Sequence, residues 1–407
     1  MSKRMQTQID RKRILIIGAS VLQLPAILKA KEKGFYVGVV DYNPCAIGIP
    51  YADEYFNVST IDLEGVTGVA KTFHPEGIMT LATDMPMRAI AAASKACGLP
   101  GISFETAIKA TDKAEMIKAF EEHGVEHPWY FVAMNRNEFE RITGLVTFPC
   151  IIKPTDNAGS RGVVLCHSAA ELKEAYEYSR SESRGGAVIV EEYLQGPEFS
   201  VEVMVIGGEP HVLQITDKLT TGAPHFVEMG HSQPTRQNIE SQEKIRDLAV
   251  RACKAVGIDC GPAHVEMILT KDGPKMVELG ARMGGDCITT HLVPLSTGID
   301  MVGATIDAAC GREPSLERTL DKGSAIRYFN TTAGVLKSIE GVEDARRIPG
   351  VQEITIVKET GTEITDIGSS IDRVGFVIAQ ADTAENAVRI CESAIQAIRI
   401  TVEPMSI

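Results

Sequence analysis

The stretch that decides the fold is HVEMILTKDGPKMVELGARMGG, residues 264–285. Its two apolar halves flank the turn sequence KDGP, which predicts a β-hairpin with its tip near Asp272 and Gly273. Glu266 and Glu278 lie twelve residues apart on the two predicted strands, and this even separation lets both carboxylates face the same side. The hairpin therefore predicts either two glutamates that face solvent or a site that both of them form.

A site formed by both glutamates indicates a metal ion. Two unneutralised carboxylates on adjacent strands repel each other, and a divalent cation removes that repulsion. Mg²⁺ prefers one or two carboxylates, with phosphate oxygens and water completing its coordination shell. Arg282 follows Glu278 by four residues, and a guanidinium beside a metal and a phosphate can bind a transferring phosphoryl group or a developing oxyanion.

A phosphate-binding site is predicted earlier in the chain. Lys153 ends the apolar strand FPCIIKP, and the polar loop 155–162, which contains two glycines, follows directly. This arrangement sets an ammonium group beside backbone N–H donors suited to polyphosphate oxygens. Lys113 stands at the start of a predicted helix that Asp112 caps, where it could supply a second ammonium. Taken alone, each lysine fits a solvated surface charge better than a phosphate site.

Composition favours a globular protein that acts on small molecules. The 407 residues are 44% hydrophobic, which is enough for two or three packed domains. The formal net charge of -13 repels nucleic-acid phosphates and anionic lipids, so we expect no nucleic-acid partner and no membrane association. Nine scattered cysteines without a CxxC pair predict reduced thiols, and no apolar stretch is as long as a membrane span. We therefore expect a cytoplasmic protein.

The order of predicted elements divides the chain into three regions. Short apolar runs alternate with helical patterns through residues 1–110, which predicts a Rossmann-like domain with a parallel sheet covered by helices. Residues 111–311 form the predicted central domain, which includes a lid subdomain at about 115–190. Residues 312–407 have the pattern of a small α+β domain.

Together these features resemble the ATP-grasp superfamily. The best-matched stretches are IIKPTDNAGSRGV at 151–163, VIVEEYLQGPEFSVEVMV at 188–205 and the hairpin sequence at 264–285. The resemblance covers nearly the whole chain, as an N-terminal Rossmann-like domain, a central nucleotide grip and a small C-terminal domain. It implies a protein of the α/β and α+β classes with the ATP-grasp fold.

The resemblance also implies which residues bind ATP. Two lysines would hold the phosphates, the glycine-containing loop would close over them, a hinge would contact adenine, and an acid would bind the ribose. In that order, the residues are Lys113 and Lys153; Asn157, Gly159, Ser160 and Gly162; Glu191, Glu192 and Leu194; and Glu198.

The metal and catalytic residues are implied in the same way. Glu266 and Glu278 match the Mg²⁺ ligands, for which Mn²⁺ is an alternative metal. Arg282 matches the arginine that steadies an acyl phosphate, and Lys153, which would hold ATP phosphates, is the second predicted catalytic residue. Many members of the superfamily have Asn two residues after the second Glu, where this sequence has Gly280. A second metal ion would therefore rely on water or on a different ligand.

Within the superfamily, the chain looks most like the L-amino acid ligases. This similarity rests on residues 153–163, on ITDKLTTGAPHFVEMGHSQPT at 215–235 and on RVGFVIAQADTAENAV at 373–388. It implies a ligase that activates a carboxylate as an acyl phosphate and joins it to an amine, releasing ADP and phosphate. The polar groups that could orient a small zwitterion in the second stretch are Lys218, His225, Glu228 and His231.

Other functions stay open at this stage. A purine-pathway ligase and a carbamoyl-phosphate-synthetase-like enzyme share the same motifs, and a nonenzymatic nucleotide or metabolite sensor could retain the fold. An oxidoreductase would need a dinucleotide site. The turn Gly18-Ala19-Ser20 with Asp41 supports one only weakly, because the GxGxxG spacing is incomplete. We expect small-molecule carboxylate and amine substrates, and a homodimer is one option for the assembly.

Overall fold

The computed structural model describes residues 11–157, 159 and 161–404. Its N-terminal part contains β1 (Arg13–Ile17), β2 (Tyr36–Val40), β3 (Glu54–Phe56) and β4 (Gly77–Met79). These strands form a sheet in the order β3-β2-β1-β4, and every pairing is parallel. The helices of this part are α1 (Leu24–Glu32), α2 (Leu63–Phe73), α3 (Met87–Cys97) and α4 (Phe104–Lys109). The alternation of strands and helices predicted from the sequence is present.

Asp41 anchors the turn that follows β1. Its buried carboxylate accepts hydrogen bonds from the backbone N–H of Ala19 at 2.8 Å and of Asn43 at 2.9 Å. Gly18 has φ 98°, and a Cβ there would lie 2.8 Å from Gln23 Oε1. The carboxylate that a dinucleotide ribose would require is therefore engaged by backbone, which favours a structural role for this turn.

A second sheet has four antiparallel strands. They are β5 (Tyr130–Ala133), β6 (Cys150–Pro154), β7 (Val164–Cys166) and β8 (Val188–Glu192), in the order β5-β8-β6-β7. The helices α5 (Lys113–Glu122), α6 (Arg136–Ile142) and α7 (Ala169–Glu182) belong to the same part of the chain. Asp112 caps α5 by accepting from the N–H groups of Ala114 and Glu115, as predicted. The loop 155–163 joins β6 to β7, so the sheet anchors both of its ends.

The largest sheet has eight strands and is antiparallel throughout. Its strands are β9 (Glu198–Ile206), β10 (Glu209–Thr220), β11 (Glu228–Gln233), β12 (Gly261–Thr270), β13 (Gly273–Gly280), β14 (Gly323–Tyr328), β16 (Val351–Ile356) and β18 (Gly375–Ala381). The order is β13-β12-β9-β10-β11-β14-β18-β16. Because β11 pairs with β14, the sheet continues across residue 312. The predicted domain ranges stay predictions.

The remaining elements complete the central and C-terminal parts. A small sheet contains β15 (Gly334–Glu340), β17 (Glu363–Ile364) and β19 (Arg399–Glu403). The remaining helices are α8 (Ile239–Val256), α9 (Val293–Thr297), α10 (Met301–Ala309), α11 (Val342–Ala345) and α12 (Ala384–Ala397), with short helical turns at Ile49–Tyr51, Ile288–Leu292 and Ser370–Asp372. No helix in the described part of the chain is long and apolar enough to cross a membrane. All nine cysteines lie in that part and are free thiols.

The longest helix, α8, shows how the large sheet is covered. Ile245, Leu248, Ala249 and Ala252 recur at helical spacing and are fully buried. Asn238 caps the first turn, and Gly257, with φ 86°, ends the helix in the left-handed conformation that glycine adopts without strain. This packing fixes the β9, β10, β12 and β13 strands that carry the charged residues described below.

An ion pair ties the C-terminal part to the central part. Arg373, between the Ser370–Asp372 turn and β18, donates to both carboxylate oxygens of Asp286 at 2.7 and 2.8 Å. Its guanidinium also lies 3.7 Å from the ring centroid of Tyr328 on β14. Burial acts to raise the pKa of Asp286, but Arg373 and His231 outweigh it and hold the pKa well below its usual range.

We expect Arg373→Met to destabilise the protein by about 2 kcal/mol, because it leaves a largely buried carboxylate without its charged donor. Arg399→Met, at an exposed position of β19, removes the same charge and should change the free energy of unfolding by less than about 0.5 kcal/mol. Urea denaturation of both variants measures the difference. Equal stabilities would contradict the role of this pair.

Candidate active site

The predicted hairpin forms, and it places two carboxylates side by side. β12 and β13 pair with Glu266 directly opposite Glu278, and a bulge follows Glu266. The side chains are 17% and 25% exposed. The alternative of two glutamates facing solvent is therefore wrong.

Each carboxylate is paired with a lysine from another element. Lys218 on β10 places Nζ 2.6 Å from Glu266, 2.7 Å from Glu198 and 3.5 Å from Glu228. Burial acts to raise the pKa of Glu266, but Lys218 and His264 outweigh it and hold the pKa well below its usual range. For Lys218 itself, burial opposes the ammonium form, yet its carboxylate partners raise the pKa well above the usual value. Both groups are therefore charged.

Lys113 pairs with the second carboxylate. Its Nζ lies 3.0 Å from Glu278 Oε2 and donates to the carbonyl of Asn157 at 2.8 Å. Burial acts to raise the pKa of Glu278, but Lys113 outweighs it and lowers the pKa. The predicted helix start, loop and hairpin thus meet at one point. Lys113 Nζ therefore links the carboxylate of Glu278 to the loop that follows β6.

These two carboxylates suit a magnesium ion whose coordination shell phosphate oxygens complete. Within the described residues there is no group of three or more His, Cys, Asp and Glu side chains that could hold a metal alone. Mg²⁺ commonly uses one or two protein carboxylates together with substrate phosphates and water. Glu266 and Glu278 supply that donor set, and Gly280 adds no side-chain ligand beside them.

A buried histidine, His264, contacts both Glu266 and a second glutamate. His264 Nε2 lies 3.2 Å from Glu266 Oε1, and its Nδ1 lies 2.8 Å from Glu202, which is completely buried. Burial acts to lower the pKa of His264, but Glu202 and Glu266 outweigh it and raise the pKa to about 9. The contacts of His264 with Glu202 and Glu266 were not predicted from the sequence. The signal was the alternation His-Val-Glu, which puts His264 and Glu266 on the same face of a strand.

The smaller of two neighbouring cavities has the character of a nucleotide site. It has a volume of about 250 Å³ and lies between the four-stranded antiparallel sheet and the eight-stranded sheet. Its apolar wall, suited to a planar ring, includes Ile151, Val163, Leu194, Ile268 and Met276. The predicted nucleotide-binding residues that line it are Lys113, Lys153, Asn157, Gly159, Glu191, Glu192, Leu194 and Glu198.

Two ion pairs involve acidic residues that line this cavity, Glu191 and Glu192. Lys153 Nζ lies 2.6 Å from Glu191, and both side chains are buried. Lys275 lies 2.7 Å from Glu192. Glu191 therefore neutralises one of the predicted phosphate-binding ammonium groups.

One predicted loop residue, Gly162, does not line this cavity, and another lies outside the described residues. Gly162 does not line it; its carbonyl accepts from Ser179 at 2.6 Å, and a Cβ would lie 2.8 Å from Pro154. With φ 77°, Gly162 has the left-handed backbone that glycine adopts without strain, and its role in binding a ligand stays a prediction. Ser160 lies outside the described residues.

The larger cavity has a volume of about 520 Å³ and meets the smaller one at Lys113, Glu266, Glu278 and Arg282. Of the polar groups predicted to orient a zwitterion, Lys218, Glu228 and His231 line it, whereas His225 is exposed and does not. Asp286, held by Arg373, forms part of the same wall. This cavity therefore combines residues from all three parts of the chain.

Arg282 is fixed by a carboxylate that sequence reasoning missed. Its guanidinium donates to both oxygens of Asp84 at 2.9 and 2.7 Å. Burial acts to lower the pKa of Arg282, but Asp84 outweighs it and raises the pKa above its usual value. Asp84 follows β4 at the carboxyl edge of the parallel sheet, which is where ligands bind in open α/β sheets, so its position was the available signal.

Comparison with known proteins agrees with this geometry. Residues 146–290 match the family model for the ATP-grasp domain, and residues 327–403 match that for L-amino acid ligase C-terminal domain 2. An uncharacterized protein of Sinorhizobium fredii is 29% identical over 355 residues, which cover 85% of this chain and 70% of that protein. Alanine–anticapsin ligase of Bacillus amyloliquefaciens is 26% identical over 327 residues, which cover 74% of this chain and 68% of that enzyme.

The fold is similar to the crystal structure of an L-amino acid ligase from Bacillus licheniformis. The TM-score is 0.84 at 22% sequence identity, and the superposition covers 97% of this chain and 99% of that chain. These matches confirm the predicted ATP-grasp fold and the predicted similarity to the L-amino acid ligases.

Amide hydrogen exchange in peptides that cover the loop 155–163 should slow when Mg-ATP is added. Asn157 and Gly159 line both cavities, so closure over a nucleotide would bury their backbone. Exchange measured by mass spectrometry should slow in this loop and stay the same in β1 and β2, which lie away from it. Unchanged exchange in the loop would contradict a closing grip.

Proposed function

We propose that this ATP-grasp protein is an ATP-dependent ligase that joins a carboxylate to an amine. One observation carries the proposal: the carboxylates of Glu266 and Glu278 and the guanidinium of Arg282 lie where the cavity lined by the predicted nucleotide-binding residues meets a second, larger cavity. A γ-phosphate in the smaller cavity would therefore face a substrate in the larger one. Relatives such as alanine–anticapsin ligase support a reaction that forms a C–N bond.

The chemistry follows from this placement. An oxygen of the substrate carboxylate attacks the γ-phosphorus, the bond to ADP breaks, and an acyl phosphate forms. The amine nitrogen then attacks the acyl carbon, loses a proton, and phosphate leaves. The protein supplies positioning and charge, as is usual in phosphoryl transfer. Lys113 and Lys153 would neutralise phosphate oxygens, and Arg282, whose orientation Asp84 fixes, would bind the oxygens of the acyl phosphate.

Mg²⁺ is the metal that this donor set favours, held by Glu266 and Glu278 together with phosphate oxygens. When bound, it would neutralise charge on the transferring phosphoryl group. Mn²⁺ prefers similar oxygen ligands, so Mn²⁺ in place of Mg²⁺ stays a prediction. A cytoplasmic location and a homodimeric assembly also stay predictions.

With hydroxylamine as the amine, the enzyme should release the hydroxamate of its carboxylate substrate together with ADP. A screen of amino acids, small acids and ribonucleotide amines, followed by mass determination, identifies the natural pair of substrates and separates amino acid ligation from purine-pathway chemistry.

Arg282→Lys keeps the charge but loses the planar fork, so kcat should fall about 100-fold or more while ATP binding changes little. AMP as product, or binding of ATP without turnover on any substrate, would refute the proposal.

Glu278→Gln should lower kcat by about 100-fold or more at limiting Mg²⁺, because it removes one charge from the metal site at constant side-chain size. Glu174→Gln makes the same change on the exposed face of α7 and should leave turnover unaltered. Circular dichroism checks that both variants are folded. Normal activity of Glu278→Gln at limiting Mg²⁺ would show that the metal ligands lie elsewhere.

A further inference from the structure

A third cavity lies between the eight-stranded sheet and helix α12. It has a volume of about 490 Å³, and α12 packs against the sheet at β11, β14 and β18. None of the described residues that line it lines either of the two cavities of the candidate active site. A ligand in this third cavity would therefore be separate from ATP and from the substrates of the proposed ligase.

Strand pairing explains why this cavity and the larger cavity are separate. Lys218 on β10 lies opposite His231 on β11, and both residues line the larger cavity. The neighbouring pair is Leu219 with Gly230, and Gly230 in turn lies opposite Arg327 on β14. Because successive residues of a strand project to opposite faces, Leu219 and Arg327 project from the other face of the sheet. Both of them line the third cavity.

Gly230 provides the room that the Arg327 side chain occupies. A Cβ at position 230 would lie 2.6 Å from Arg327 Nη1 and 2.7 Å from the carbonyl oxygen of Ile326. Nη1 donates to the backbone carbonyls of His231 at 3.1 Å and of Ile326 at 2.9 Å. These two hydrogen bonds orient the guanidinium beside the cavity.

Arg327 is a largely buried cation without a directly paired acid. The residue is 9% exposed, and its Nε is buried without a hydrogen-bond partner. No other arginine or lysine in the described part of the chain has a buried nitrogen that lacks a partner, and no carboxylate there forms an ion pair with Arg327. Burial lowers its pKa, because the guanidinium is largely removed from water. An anionic ligand would supply the missing counter-ion.

The free edge of the guanidinium has the geometry that a carboxylate requires. Backbone carbonyls engage Nη1, so within the described residues the edge formed by Nε and Nη2 is the one left for a ligand. In Arg282 the same edge donates to both oxygens of Asp84. The planar pair of donors in Arg327 therefore matches the two oxygens of a carboxylate.

The rest of the lining indicates which kind of anion fits. Leu219 and Ile395 supply apolar surface, and Gln396 supplies a neutral amide. Glu392, exposed on α12, adds a negative charge to the same lining, which opposes a ligand with two negative charges. A molecule with one carboxylate and a short apolar body suits this lining better than phosphate does.

We propose that the third cavity binds a small monocarboxylate, whose oxygens pair with the guanidinium of Arg327. The site lies beside the substrate wall, because Arg327 donates to the backbone carbonyl of His231, which lines the larger cavity. The proposal concerns binding alone and does not depend on the proposed ligase activity.

The first test is titration of the full chain with hexanoate, hexanamide and inorganic phosphate, followed by ligand-observed NMR. Hexanoate should bind roughly tenfold or more tightly than hexanamide, which has the same shape without the charge, and more tightly than phosphate. Arg327→Met should weaken hexanoate binding roughly tenfold or more, the range expected for a lost charged hydrogen bond. Arg399→Met removes an exposed arginine and should bind hexanoate as wild type does.

Two charge changes on α12 test the opposite wall, since Arg327→Met also removes two hydrogen bonds to backbone carbonyls. Glu392→Gln should strengthen hexanoate binding and Gln396→Glu should weaken it, each about two- to fivefold, the range for exposed charges. Both side chains are exposed, so both variants should fold as wild type does. Changes of the opposite sign, or no change in either variant, would contradict a site in this cavity.

Hydrogen exchange measured by mass spectrometry distinguishes the third cavity from the substrate cavity. With hexanoate, exchange should slow in peptides that cover residues 219–221 and 392–396 and stay the same in the loop 155–163. Slowing confined to that loop, or hexanoate binding that Arg327→Met leaves unchanged, would place the carboxylate in the active site and overturn the proposal. Tighter binding of phosphate than of hexanoate would overturn the choice of a monocarboxylate. None of these measurements requires turnover, so a protein without ligase activity gives the same test.

Discussion

The direct pairing of Glu266 with Glu278 across the β12–β13 hairpin is the constraint on which the rest of the site depends. Two buried carboxylates at this separation require positive charge, and two lysines from different elements provide it. Lys218 comes from β10 of the same sheet, whereas Lys113 comes from the start of α5. The hairpin therefore joins the large sheet to the helix that precedes the second sheet, and these charge pairs lie at the border of the cavity between the two sheets.

The same principle extends outward to the ends of the chain. Asp84 brings the carboxyl edge of the parallel sheet to Arg282, and Arg373 brings the C-terminal part to Asp286. Each contact joins an acid and a base that are largely shielded from water, where hydrogen-bonded charge pairs are strongest. The central part supplies one partner of each of these two ion pairs. The large cavity therefore has walls from three parts of the chain, and the ion pairs connect those parts.

Local patterns explain how much of this could be predicted from the sequence. The hairpin register, the Asp112 cap and the loop after Lys153 depend on residues within a few positions of each other, so spacing alone predicts them. Asp84 and Arg282 are 198 residues apart, and no local pattern connects them. The place of Gly162 in the nucleotide site stays a prediction, because the sequence does not show whether a glycine serves a phosphate or a turn. The resemblance supplied the nucleotide-binding residues that spacing alone did not.

This division also explains why the reaction type is easier to infer than the substrate. The proposed phosphoryl transfer uses two carboxylates, two ammonium groups and the loop after Lys153, and short motifs supply most of them. The substrate cavity is assembled from distant segments, since Arg88, Glu228 and Asp286 come from three separate elements. A change in any one wall alters which molecule fits without disturbing the paired carboxylates. The fold can therefore retain one chemistry while the identity of the carboxylate and amine varies.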